Sequence, residues 1–119
     1  MRTGFTLIEL LVVMALLALL LGLTYVPLTL AREKANLAAG QAYVRNVATR
    51  LEALRDPRGK LPTYLTDCMS GFGRRPSAVT ECAITYPDPL SYVIEASLEG
   101  AAMGKIVYRS EDGTLTSLP

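Results

Sequence analysis

The sequence contains no histidine among its 119 residues. Without histidine, Ser-His and Cys-His nucleophile pairs are unavailable, and zinc sites that use histidine ligands are excluded. Several common routes to hydrolytic chemistry are therefore absent. We expect a protein that is not an enzyme and that has no catalytic residue, no metal site and no cofactor.

Charge is also scarce in the first quarter of the chain. Residues 5–31 contain one charged side chain, Glu9, whereas residues 32–119 contain 11 Lys or Arg and 10 Asp or Glu. An apolar fraction of 50% is too high for one ordinary soluble domain, so the apolar residues must serve more than a globular core. The net charge of +1 in residues 32–119 gives no electrostatic support for DNA or an acidic substrate as the main partner.

The apolar segment has the length of a membrane-spanning helix. Residues 10–23 are uncharged and almost entirely aliphatic. A helix over residues 5–31 would be roughly 40 Å long at about 1.5 Å per residue, which is enough to cross a bilayer. Because proline removes a backbone hydrogen bond and glycine weakens a helix, we expect a kink at Gly22 and Pro27.

The rest of the chain predicts an amphipathic helix, a connector and a small sheet. The helical pattern continues to about residue 54, and its apolar stripe consists of Leu37, Val44, Val47, Leu51 and Leu54. Residues 55–90 are rich in Pro, Gly, Ser and Thr and predict an irregular connector. Residues 91–119 predict a β-meander with strands at Ser91–Leu98, Lys105–Arg109 and Thr114–Leu118. The expected fold class is α+β, with one long N-terminal helix against an antiparallel sheet of about three to four strands.

The N-terminal motif is the most specific feature of the sequence. A short basic leader precedes Gly4-Phe5-Thr6-Leu7-Ile8-Glu9, which opens the long apolar run. This stretch resembles the class III signal of type IV prepilins and type II secretion pseudopilins. The resemblance implies a pilin fold, with a leader of residues 1–4, a membrane-spanning or filament-core helix over residues 5–31 and a head over residues 32–119. It also implies that a prepilin peptidase cleaves between Gly4 and Phe5 and methylates the new amino group of Phe5.

Glu9 is the one carboxylate inside the apolar segment. A charge at that depth costs about 2.5 to 3.5 kcal/mol on the lenient insertion scales, so it needs a partner or a position near the membrane surface. The resemblance implies that Glu9 pairs with the charged Phe5 amine of a neighbouring subunit during assembly. The alternative, judged from the charge alone, is a carboxylate tolerated close to the head groups.

Cys68 and Cys82 are the only cysteines and lie 14 positions apart. An even pair in a translocated head predicts one disulfide, and the alternative is two free thiols in a reducing compartment. The acidic turn at Glu111 and Asp112 suggests calcium, as in the main pseudopilins. With two adjacent carboxylates and no further spaced ligands, a plain turn is the better prediction.

The resemblance implies a structural subunit of a bacterial type IV pilus that serves adhesion, twitching motility or DNA uptake. The precursor would span the inner membrane once, with its head outside the cytoplasm, and would then assemble into a homo-oligomeric surface filament. Its partners would be the prepilin peptidase and the assembly machinery of the inner membrane. The alternatives are a minor pilin or pseudopilin, a monomeric anchored binding protein and a secreted enzyme with an uncleaved signal.

Overall fold

A computed structural model of the chain describes residues 4–119. Helix α1 runs over Leu7–Ala53 and is followed by four strands. The strands are β1 Val79–Asp88, β2 Ser91–Leu98, β3 Lys105–Arg109 and β4 Thr114–Leu118. They form one antiparallel sheet in the order β1-β2-β3-β4, which confirms the predicted α+β class. The chain divides into two compact units, one ending at Ala31 and the other spanning Arg32–Pro119.

The first unit is the apolar part of α1. The large hydrophobic side chains described between Phe5 and Leu30 are each at least half exposed. The helix is long and apolar enough to cross a membrane. Gly22 and Pro27 both lie inside α1, and the helix is not interrupted at either residue. The kink expected there stays a prediction.

The second unit has its own core between α1 and the inner face of the sheet. Val44, Val47 and Leu51 are fully buried, as the predicted stripe requires. Leu37 is partly buried, but Leu54 is 52% exposed, so the stripe ends one turn earlier than predicted. The sheet contributes buried side chains from β1, β2 and β3, namely Ile84, Tyr92, Ile94, Ala96, Leu98 and Ile106.

Strand β1 corrects the prediction of an irregular connector over residues 55–90. The strand pairs with β2 along most of its length, with two register shifts. Its inward residues Cys82, Ile84 and Tyr86 alternate with outward ones, which is the pattern of a half-buried strand. The alternation was present in the sequence but lay among prolines and next to a cysteine. Pairing with β2 makes this segment a strand, because the ladder gives hydrogen-bond partners to backbone N–H and C=O groups that an irregular connector would leave exposed to water.

The true connector, residues 54–78, is attached to both the helix and the sheet. The Arg55 guanidinium donates to the carbonyl oxygens of Gly59 at 2.7 Å and Leu90 at 3.0 Å, and it also pairs with Glu52. Further along, the Ile84 backbone N–H donates to the Thr66 carbonyl at 2.9 Å, and the backbones of Asp67 and Ala83 form an isolated antiparallel β-bridge. The connector therefore covers the outer edge of β1, and β4 is left as the open edge of the described sheet.

Candidate functional site

The N-terminal motif forms a helix cap in the structure. The Glu9 backbone N–H donates to the Thr6 hydroxyl at 3.2 Å, and the Thr6 backbone N–H donates to a Glu9 carboxylate oxygen at 3.4 Å. This reciprocal pair is a capping box, which satisfies two backbone donors at a helix start. The role of Thr6 was missed at the level of sequence, although Thr6-x-x-Glu9 before an apolar run is the sequence signature of this cap.

Gly4 and Phe5 lie just before the helix and are accessible. Both are non-helical and exposed, and a Cβ placed on Gly4 would meet no other atom within 4 Å. The Phe5 ring is 85% exposed. An exposed, non-helical backbone at this step suits a protease that must approach the peptide bond closely. Residues 1–3 of the predicted leader lie outside the described residues.

Within the described residues, Glu9 has no cation at ion-pair distance. Among residues 4–119 the ion pairs are Glu52–Arg55 and Glu95–Lys105, and neither involves Glu9. Its carboxylate contacts the Thr6 amide and is otherwise exposed, within a surface of exposed Leu, Ile and Phe side chains. The Glu9 carboxylate is thus open to a charged partner from outside the described residues.

Cys68 and Cys82 form a disulfide with their Cα atoms 5.1 Å apart. The bond joins the connector to β1, and the Cys68 carbonyl accepts a hydrogen bond from the buried Tyr43 hydroxyl of α1. Burial raises the pKa of the Tyr43 hydroxyl above its ordinary value. The disulfide thus sits where helix, connector and sheet meet.

The turn between β3 and β4 is explained without a metal. A carboxylate oxygen of Asp112 accepts hydrogen bonds from the Thr114 backbone N–H at 3.1 Å and the Thr114 hydroxyl at 2.7 Å. These bonds lower the pKa of the Asp112 carboxyl and make an Asx turn. Within residues 4–119, no group of three or more His, Cys, Asp or Glu is placed to hold a metal ion.

Comparisons with known proteins agree with the N-terminal motif and the fold. The family described as Pilin A4 matches residues 36–113, and the prokaryotic N-terminal methylation motif matches residues 1–25. A comparison with curated proteins gives no match.

Two solved structures from Thermus thermophilus are similar to this chain. One is a type IV-like competence pilin, which is 72% identical over 71% of this chain and 99% of its own, with a TM-score of 0.70. The other is a type IV pilin protein, which is 38% identical over the same shares, 71% and 99%, with a TM-score of 0.66. The motif, the long exposed helix, the four-stranded head and these matches lead to one conclusion: the chain belongs to the type IV pilin family, whose members are structural proteins and not enzymes.

Proposed function

We propose that the chain is the repeating subunit of a type IV pilus that takes up DNA. The 72% identity to a protein described as a competence pilin is the observation that supports this role over adhesion or twitching motility. The exposed apolar half of α1 supports filament formation, because such a surface must be covered by lipid in the precursor and by neighbouring helices after assembly.

Processing at Gly4 prepares the subunit for assembly. In this proposal a prepilin peptidase cuts between Gly4 and Phe5 and methylates the Phe5 amine, while α1 stays in the inner membrane. The new ammonium then lies close in sequence to Glu9, whose carboxylate has no cation at ion-pair distance among residues 4–119. A neighbouring subunit's Phe5 amine would neutralise Glu9 as both become buried, which offsets the desolvation of each charge.

Intact-mass measurement of sheared filaments tests the processing step. We expect the subunit to lack residues 1–4 and to carry one additional methyl group. A Gly4→Val precursor should keep its leader, because the β-branched side chain would fill the open space beside Gly4 and hinder the protease from reaching the peptide bond. A filament subunit that retains Met1 would contradict the proposal.

A deletion strain tests the role in DNA uptake. We expect natural transformation to be lost on deletion and restored by the full-length gene, with surface attachment and twitching little changed. Transformation at the wild-type frequency in the deletion strain would contradict the proposed role.

A further inference from the structure

The small net charge of the head conceals a strong separation of charge along the chain. Residues 32–75 carry nine basic and four acidic side chains, a net charge of +5, whereas residues 76–119 carry two basic and six acidic ones, a net charge of −4. The overall value of +1 therefore says little about local binding. The basic excess belongs to the helix and connector, and the acidic excess belongs to the sheet and its turns.

Arg50, Arg74 and Arg75 form the centre of the basic part. The Arg50 guanidinium lies over Gly73, where a Cβ would come within 3.2 Å of its Nη2. Arg50 and Arg75 both lie close enough to the Tyr43 hydroxyl to lower its pKa, against the larger effect of burial. Arg74 is exposed and stands between Gly73 and Arg75 in the chain. The Gly73 φ of +90° and its missing side chain make this approach possible.

These three arginines have no carboxylate at ion-pair distance in the described part of the chain, where the pairs involve Arg55 and Lys105. Asp67 is the acidic group near them, and its carboxylate accepts a hydrogen bond from the Met69 amide at 2.8 Å. Guanidinium groups that are close together and form no ion pair repel one another, and one nearby carboxylate offsets this only in part. An anion that contacts several of them at once would relieve that repulsion.

An apolar groove begins at Arg50 of this cluster. It has a volume of about 350 Å³ and is lined by Arg50, Leu54, Leu65, Phe72 and small residues. This groove accounts for the exposure of Leu54 at the end of the helical stripe. Low-dielectric walls beside clustered charges concentrate the electric field and strengthen the attraction of an anion.

We infer that the arginine cluster, Arg50, Arg74 and Arg75, binds backbone phosphates of DNA, an inference that rests on the proposed role in uptake. Planar guanidinium groups bind phosphate oxygens in bidentate geometry, and neighbouring phosphates along a strand match neighbouring arginines. A second copy of the head is a poorer occupant. Half of the six carboxylates in its acidic part already have partners: Asp88 and Asp112 accept hydrogen bonds within their own turns, and Glu95 pairs with Lys105.

The test uses full-length protein in detergent and fluorescent DNA, both single-stranded and duplex. The triple variant Arg50→Gln, Arg74→Gln, Arg75→Gln is compared with Arg58→Gln, Lys60→Gln, Arg109→Gln, which removes the same charge elsewhere on the head. We expect the cluster variant to bind at least about tenfold more weakly and its salt dependence to fall by about 2 to 3 in log-log slope. The control variant should keep both values near wild type.

Arg75 also donates a hydrogen bond to the Val79 carbonyl, and the triple variant loses this bond. The single variant Arg74→Gln keeps the bond and therefore controls for misfolding. Arg74→Gln alone should lower the salt slope by about 1 without changing the thermal midpoint. Equal losses in the two triple variants would overturn the inference, because binding would then follow net charge only. Equal competition by polyglutamate would also overturn it, since the site would then accept carboxylates as readily as phosphates.

The site and the proposed role fail in different ways. Normal transformation of a deletion strain would reject the role, while weaker DNA binding by the cluster variant would still support the site. Loss of filaments by the cluster variant, with DNA binding intact, would overturn the site and assign the arginines to contacts between subunits.

Discussion

Three tyrosine hydroxyls of the head donate hydrogen bonds to carbonyl oxygens of other segments. Tyr43 donates to Cys68, Tyr86 to Leu65 and Tyr92 to Ala48. Burial raises the pKa of all three phenols, most strongly for Tyr92, whose exposure is 1%. The tyrosines thus link helix, connector and sheet as neutral donors, whereas Tyr64, at 80% exposure, has no such structural role.

These raised pKa values predict a loss of stability in alkali. A phenol whose pKa is higher in the folded state stabilises the fold below the unfolded value of about 10, and that contribution is lost as the pH rises above it. We expect the free energy of unfolding in urea to fall steeply above about pH 10. Tyr92→Phe should lower stability by about 1 kcal/mol at neutral pH and reduce the alkaline slope. Tyr64→Phe is the exposed control, and an equal reduction of the slope in it would contradict the assignment to Tyr92.

At the scale of elements, the packing of α1 on the sheet depends on Gly40. A Cβ on Gly40 would lie 2.7 Å from Leu98 Cδ2 and 3.1 Å from Ile106 Cδ1. Helix propensity alone predicts that a glycine inside α1 weakens the helix. In the structure this one permits the close approach of helix and sheet, which is a tertiary reason for a residue that lowers helix propensity.

Gly40→Val should therefore destabilise the head by about 1 to 3 kcal/mol, because the larger side chain overpacks the interface with Leu98 and Ile106. Thermal or urea unfolding of the full-length protein measures the change. Ala38→Val places the same side chain at an exposed position of the same helix and should have a much smaller effect. Helix propensity alone would make Gly40→Val slightly stabilising, because valine is a better helix former than glycine. A Gly40→Val variant as stable as the wild type would therefore show that the contact with Leu98 and Ile106 does not limit the packing.

The disulfide stabilises the attachment of the connector to the sheet. Its loop of 14 positions is short, and the chain-entropy model gives about 3 kcal/mol for a loop of this size. We expect the double variant Cys68→Ser, Cys82→Ser to lose roughly that amount in urea unfolding. Reductant should lower the midpoint of the wild type and leave the double variant unchanged. If reductant has no effect on the wild type, the bond does not contribute to stability.

At the scale of the whole molecule, the proposed filament would bury Glu9 together with the apolar surface of α1. The structure gives Glu9 two possible roles, as the acceptor of the capping box and as a charge that needs a partner in another subunit. Glutamine also serves at this position of a capping box, so Glu9→Gln keeps the cap and removes the charge. Glu9→Val removes both.

We expect both variants to be processed and inserted normally, because neither makes the segment more polar. Filament yield should fall sharply in both, since loss of one partner of a buried ion pair costs about 3 to 5 kcal/mol and recurs at every subunit added. The measurement compares cleaved precursor in membranes with sheared filament mass. Normal filaments from Glu9→Gln, with defective ones from Glu9→Val, would assign Glu9 to the cap alone.

The sequence by itself determined the family, the long helix and the three C-terminal strands. These features rest on local patterns: Gly4 to Glu9 as a contiguous motif, an unbroken apolar run, and strands separated by glycine-bearing turns. The pairing of Cys68 with Cys82 also followed from the sequence, because two cysteines allow only one bond. Such signals need no knowledge of which distant residues meet.

Tertiary structure alone decided the status of β1, the role of Gly40 and the grouping of the arginines. Strand β1 is stable because β2 pairs with it, and Gly40 matters because Leu98 and Ile106 lie against it. Arg50 stands far in sequence from Arg74 and Arg75, and only the fold of the connector over α1 brings their charges together. A net charge adds up all charged residues regardless of where folding places them, whereas the local electric field depends on the distances between charges. The net charge therefore did not reveal the arginine cluster.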